Sequence, residues 1–124
     1  MAKYNIASIE TLERVSGKSN NSFKSGITDV LELKTMRGKF WFIPPGESIG
    51  LHKHEVQEEI YYQIKGPGKI LFGENGEEVV EVPEGSIVNV PPETWRQVVN
   101  DTEMEHTWLI IGSPAVDKDG IHKD

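Results

Sequence analysis

The chain has 124 residues, 36% of them hydrophobic, and a formal charge of −7 from 20 acidic residues against 13 Lys and Arg. That length suits one domain whose core needs no covalent staples, and the absence of cysteine excludes disulfides, thiolate metal sites and cysteine nucleophiles. There is no basic stripe or arginine-rich run, which argues against a nucleic-acid partner, and no stretch approaches membrane-spanning length.

The opening segment, MAKYNIASIETLERV, lacks the continuous apolar core of a signal peptide, so a cytoplasmic location is the default expectation. Residues 1–25 form an N-terminal extension and connector: Ser8 starts a short helical turn towards Glu13, and SGKSNNS from Ser16 to Ser22 is a loop. Its SGKS is not a phosphate loop, because the upstream glycine and the preceding apolar strand are missing. From Gly26 onward the pattern is strand and turn. ITDVLELKT alternates with Leu31 and Leu33 on one face, and KFWFI follows a turn at Arg37-Gly38. EIYYQIK and KILF carry strand-forming residues on either side of a tight turn at Gly66-Pro67-Gly68. Asn75-Gly76 marks a hairpin, since both central positions of such a turn want positive φ. Turn signals at 83–85, 91–94 and 100–103 separate three more strands, and TWLIIG closes the barrel segment, 26–112. Residues 113–124, SPAVDKDGIHKD, form a polar tail or edge arm. About eight short strands with no helix-period segment predict an all-β fold, a closed or sandwiched antiparallel barrel.

Chemistry concentrates in GESIGLHKHEVQEEIYYQIKG. His52 and His54, two apart on an extended segment, point to one face. A carboxylate shortly after completes two nitrogens and an oxygen, a donor mix suited to divalent iron and its neighbours. Strict alternation puts Glu58 on the histidine face, whereas a turn or bulge at Val56-Gln57 puts Glu59 there.

Gly46, His52, His54, Glu59 and Gly66 match the spacing of the first motif of the cupin superfamily, and Gly85, Pro91, Glu93, Arg96 and Asn100 follow the frame of its second. The chain therefore resembles a small single-domain cupin over residues 26–112, with Glu93 at the inner glycine position and Arg96 where the family has a further histidine ligand. The resemblance implies a jelly-roll barrel, a homodimer, and a metal site at His52, His54 and Glu59, with Glu58 in reserve. It also implies a bound divalent ion: iron, manganese, nickel or zinc.

An arginine offers no lone pair to a metal, so three arrangements stand open. Arg96 anchors an anionic substrate beside a three-ligand ion; or it replaces the ion by pairing with Glu59 or Glu58; or it swings outward to a rim acid such as Glu93. With Glu59 inward, Tyr61 and Gln63 are inward too, as candidate substrate-binding residues; no catalytic group is assigned. His106 and His122 are read as an edge-of-strand and a solvent-exposed histidine, and Phe40, Trp41 and Phe42 as core or interface. The leading expectation is metal-dependent chemistry on a small anionic molecule, of dioxygenase or isomerase/lyase type. The alternatives are a non-catalytic binding or sensing module, metal-free or not, in which Arg96 anchors the anion, and a metal-free sugar epimerase or isomerase.

Overall fold

The structure, a computed structural model, describes residues 2–17 and 21–123. These residues contain eleven strands and no helix: β1 (Val15–Ser16), β2 (Phe23–Gly26), β3 (Arg37–Ile43), β4 (His52–His54), β5 (Glu58–Lys65), β6 (Gly68–Phe72), β7 (Glu78–Val82), β8 (Ile87–Val90), β9 (Arg96–Val99), β10 (His106–Ser113) and β11 (Gly120–His122). They build two antiparallel sheets, one in the order β1-β2-β3-β10-β5-β8 and one in the order β11-β4-β9-β6-β7, the jelly-roll arrangement the sequence predicts. Two facing sheets bury one face of each strand, and the burial of β5 follows that rule: Glu59, Tyr61 and Gln63 are buried while Glu58 and Ile60 are exposed. Ile43, Ile49, Ile70, Val82, Val90, Val98, Trp108 and Ile110 form the apolar core with Tyr61.

Several local expectations change. ITDVLELKT is not a strand. Leu31 N–H donates to the Ile27 carbonyl and Leu33 N–H to that of Thr28, and Glu32 takes a φ of 55°, so the segment closes on itself as a compact turn. The polar cluster that mimics a turn at Arg37-Gly38 is instead the start of β3, whose partner β10 supplies the ladder from Gly112 to His106. At Asn75-Gly76 the reversal is wider than a two-residue turn: Gly76 N–H bonds the Gly73 carbonyl, and both glycines have positive φ. Ser16 belongs to β1 rather than to a loop, and Lys18, Ser19 and Asn20 lie outside the described residues. Near the C-terminus, β11 pairs with β4 as an edge strand, setting Gly120 opposite His54 and His122 opposite His52.

Gly66-Pro67-Gly68 joins β5 in one sheet to β6 in the other, so it is a corner between layers and not a hairpin. Gly68 has a steric reason to be glycine, since a Cβ there would run into the Gln63 side-chain amide.

Candidate metal centre

The donors come from opposite layers of the barrel. β4 projects His52 and His54 from one sheet and β5 projects Glu59 from the other, across the interior. Residues Glu55–Gln57 carry the chain between the layers, and that crossing breaks the alternation, so Glu59 and not Glu58 faces the histidines. One ligand atom from each of His52, His54 and Glu59 lies within 4.8 Å of the other two. His54 Nε2 stands 3.6 Å from Glu59 Oε1, and the two imidazoles meet edge to face at 5.4 Å between ring centres.

The protonation of this cluster suits a metal. His52 Nδ1 lies 2.9 Å from the Gly50 carbonyl oxygen, which only accepts, so Nδ1 carries the proton and Nε2 keeps its lone pair. Burial holds His52 down to about 4, although the Gly50 carbonyl opposes the shift. Burial lowers His54 as well, against the pull of the Glu59 charge, so both imidazoles are neutral at pH 7. For Glu59, burial favours the protonated form, but the hydrogen bond and the charge of Arg96, with the hydrogen bond from Tyr61, hold the carboxyl below its ordinary value.

Arg96 is fully buried at the register position opposite His52. Nη2 donates to Glu59 Oε1 at 2.7 Å, Nε to the Tyr61 hydroxyl oxygen at 3.2 Å, and Nη1 to the Thr94 carbonyl at 2.7 Å. The Tyr61 hydroxyl in turn donates to Glu59 Oε1 at 3.0 Å. Arg96 thus sits behind Glu59, not at the mouth. Outward pairing with Glu93, one of the three arrangements left open, does not occur: Glu93 holds Lys53 at 2.8 Å instead. Glu93 itself keeps a φ of 62°, the conformation the family fills with glycine, and donates its N–H to the His54 carbonyl at 2.7 Å.

The three residues fit a divalent ion. Two neutral imidazoles and an ionised carboxylate are a donor set for first-row metals, and His54 and Glu59 are already near the separation of two donors on one ion. A carboxylate offers about four lone-pair sites, so the hydrogen bonds from Arg96 and Tyr61 leave Glu59 able to ligate.

Other positions fall differently. Both N–H bonds of the Gln63 amide go to the carbonyls of Lys65 and Thr107, at 2.9 and 3.0 Å, so its role is to hold the barrel's far end. His106 is buried against Thr102, with 3.0 Å between Nε2 and Oγ1, and not in the cluster. Phe42 is core, as expected.

Sequence reasoning missed several residues around the cluster. A cavity of about 680 Å³ opens beside the histidines, lined among others by Lys24, Lys39, Trp41, His52, His54, His122 and Lys123. Lys24 and Lys39 also line a neighbouring space of about 430 Å³ that includes Glu59. Burial lowers the Lys39 pKa, partly offset by the Glu59 charge, and its Nζ stands 4.5 Å from the Trp41 ring centre. His122 is exposed, as expected, yet it also stacks on His52 at 5.4 Å and 22°. Asp119 is buried beside His54. Alternation on β3 places Lys39 and Trp41 on one face, a signal that was readable; nothing local marks Asp119 or His122.

Residues 39–112 match the Cupin domain family, and the chain belongs to it. The "Oxalate-binding protein" of Thermotoga maritima is 36% identical over 74 residues, 56% of this chain and 60% of that protein. An uncharacterised protein of Methanocaldococcus jannaschii is 36% identical over 58 residues, 47% of this chain and 44% of that protein. The match thus spans about half the length of these curated relatives. Among solved structures, a sugar phosphate isomerase of the cupin superfamily from Silicibacter pomeroyi superposes with a TM-score of 0.81 at 18% identity, covering 94% of this chain and 80% of that one. A predicted oxalate decarboxylase from Thermotoga maritima gives 0.73 at 22% identity, covering 88% and 98%.

Proposed function

We propose that this protein binds a small carboxylate anion of the oxalate class at a divalent ion held by His52, His54 and Glu59. The observation that carries the proposal is the position of those donors beside a cavity whose lining holds Lys24, Lys39 and Lys123 and, among the described residues, no carboxylate. A divalent ion and lysines both attract anions, and a dicarboxylate satisfies both at once. The similarity to a protein named for oxalate binding points the same way. When bound, iron, manganese, nickel or zinc would supply a Lewis acid towards the ligand's oxygen. The chain's own part is to orient two imidazoles, keep Glu59 ionised and hold the anion with Lys39.

Binding stands ahead of proton-transfer turnover. An epimerase needs a tyrosine free to give up its proton, and the Tyr61 hydroxyl is engaged with Glu59 and Arg96 while burial pushes its pKa up. A second reading, a metal-free binding module, is favoured by one contact: Arg96 at 2.7 Å neutralises Glu59 without an ion. A homodimer rests on the family resemblance alone, and light scattering decides it.

Calorimetric titration of oxalate and of its neutral analogue oxamide into manganese-loaded and chelator-treated protein tests the proposal. Oxalate is expected to bind the loaded form only, with affinity about tenfold lower in Lys39→Met, the loss of one charge-assisted contact. Equal binding of oxamide, or no binding of either, sinks it. Equal binding of oxalate with and without metal moves the conclusion to the metal-free module.

A further inference from the structure

We infer that Asp119, in the C-terminal arm beyond the stretch that matches the family, is a positioning residue of the metal centre. The inference builds on the proposed use of His52, His54 and Glu59 as ligands. The Asp119 carboxylate is buried and accepts from the Gln57 N–H at 2.8 Å through Oδ2 and from the Val56 N–H at 3.0 Å through Oδ1. Those two amides belong to the crossing between β4 and β5, the segment whose path brings Glu59 instead of Glu58 to the histidines. The Glu55 N–H bonds the Asp119 carbonyl as well, at 3.2 Å, so all three crossing residues are tied to this one aspartate. The Gln57 side chain completes the attachment: its amide donates to the Pro114 carbonyl at 3.1 Å and lies over Gly112, where a Cβ would fall 2.5 Å from it.

The same carboxylate reaches a ligand. Asp119 Oδ2 is 3.5 Å from His54 Nδ1, and that nitrogen is buried with no hydrogen-bond partner of its own. At 3.5 Å the contact is an ion-pair distance and not a formed hydrogen bond. A small shift of the ring closes it. An acceptor facing Nδ1 keeps the proton there and turns the Nε2 lone pair inward, towards Glu59. Asp119 thereby sets the ring state of one ligand and the path of the chain to another. His122, three residues on, stacks on His52, so the arm reaches both histidines. A barrel ending at the last strand of the matched stretch would lack both supports.

Asp119→Asn keeps an oxygen for the turn amides but removes the negative charge facing His54. Cobalt(II) binding by visible absorption, with thermal melting to confirm the fold, reads the first consequence: affinity is expected to fall 10- to 100-fold, the range for partners that orient a metal ligand. Imidazole ¹⁵N shifts of metal-free protein read the second, with His54 expected to lose its Nδ1-protonated form. Asp119→Ser, which caps the turn but is too short to reach His54, serves if the first variant does not fold. Wild-type cobalt affinity together with unchanged His54 shifts in the variant overturns the inference. Should the wild type bind no cobalt, the metal reading fails by itself, and the ¹⁵N shifts still decide whether Asp119 sets the state of His54.

Discussion

At the far end of the barrel, Gln63 donates to the carbonyls of Lys65 and Thr107, and Asn100 donates to those of Ile43 and Met104 while accepting from Thr102. At the near end, Glu59, Arg96 and Tyr61 bond chiefly to one another, and His52 and His54 keep their inward nitrogens free of backbone partners. The same strands serve both ends: β5 carries Glu59 and Gln63, and Arg96 opens the β9 that runs on to Asn100. Buried polar groups tied to main-chain carbonyls stabilise a fold. Buried polar groups aimed at each other and at a cavity add little net stability, so a function is the better reason for their presence. The contrast separates structural from functional polarity without reference to any ligand.

That contrast breaks first at Arg96. Arg96→Met leaves the buried Glu59 carboxylate without its cation, and a loss of about 3–5 kcal/mol is expected in chemical denaturation. A loss under 1 kcal/mol would mean that the near end is not held by this pair. Next in size is Gln63→Ala, which strands two carbonyls and should cost about 1–3 kcal/mol. Cobalt affinity should stay at the wild-type value; a clear change in it would place Gln63 with the site. The smallest effect is expected at Glu93→Gly. Relief of the positive φ gains about 1 kcal/mol, and loss of the exposed Lys53 pair gives back a few tenths. A drop in melting temperature would show that the backbone at Glu93 carries no strain.

Much of this was legible in the chain. His52 and His54 share a face by parity alone, and the motif frame places Glu59 and Arg96 in one barrel. The pairing of Arg96 with Glu59 was one of three arrangements left open, and only packing chose it. Two kinds of information were missing. Leu31 and Leu33 alternate like a strand, yet local hydrogen bonds from Leu31 to Ile27 and from Leu33 to Thr28 close a turn that periodicity does not register. Asp119 meets Gln57 across 62 residues of sequence, and a contact that distant leaves no mark in either neighbourhood. The lysines of the cavity lie outside the motif that carries the histidines: Lys24 is on β2, Lys39 on β3, and Lys123 follows β11.

The central claim is that His52, His54 and Glu59 hold a divalent ion, and metal content tests it most directly. Protein purified without chelator or affinity tag is expected to carry near-stoichiometric metal, lost in His52→Ala, His54→Ala and Glu59→Ala and kept in Glu58→Ala. A wild-type protein that remains metal-free after reconstitution with manganese, iron, nickel and zinc would contradict it.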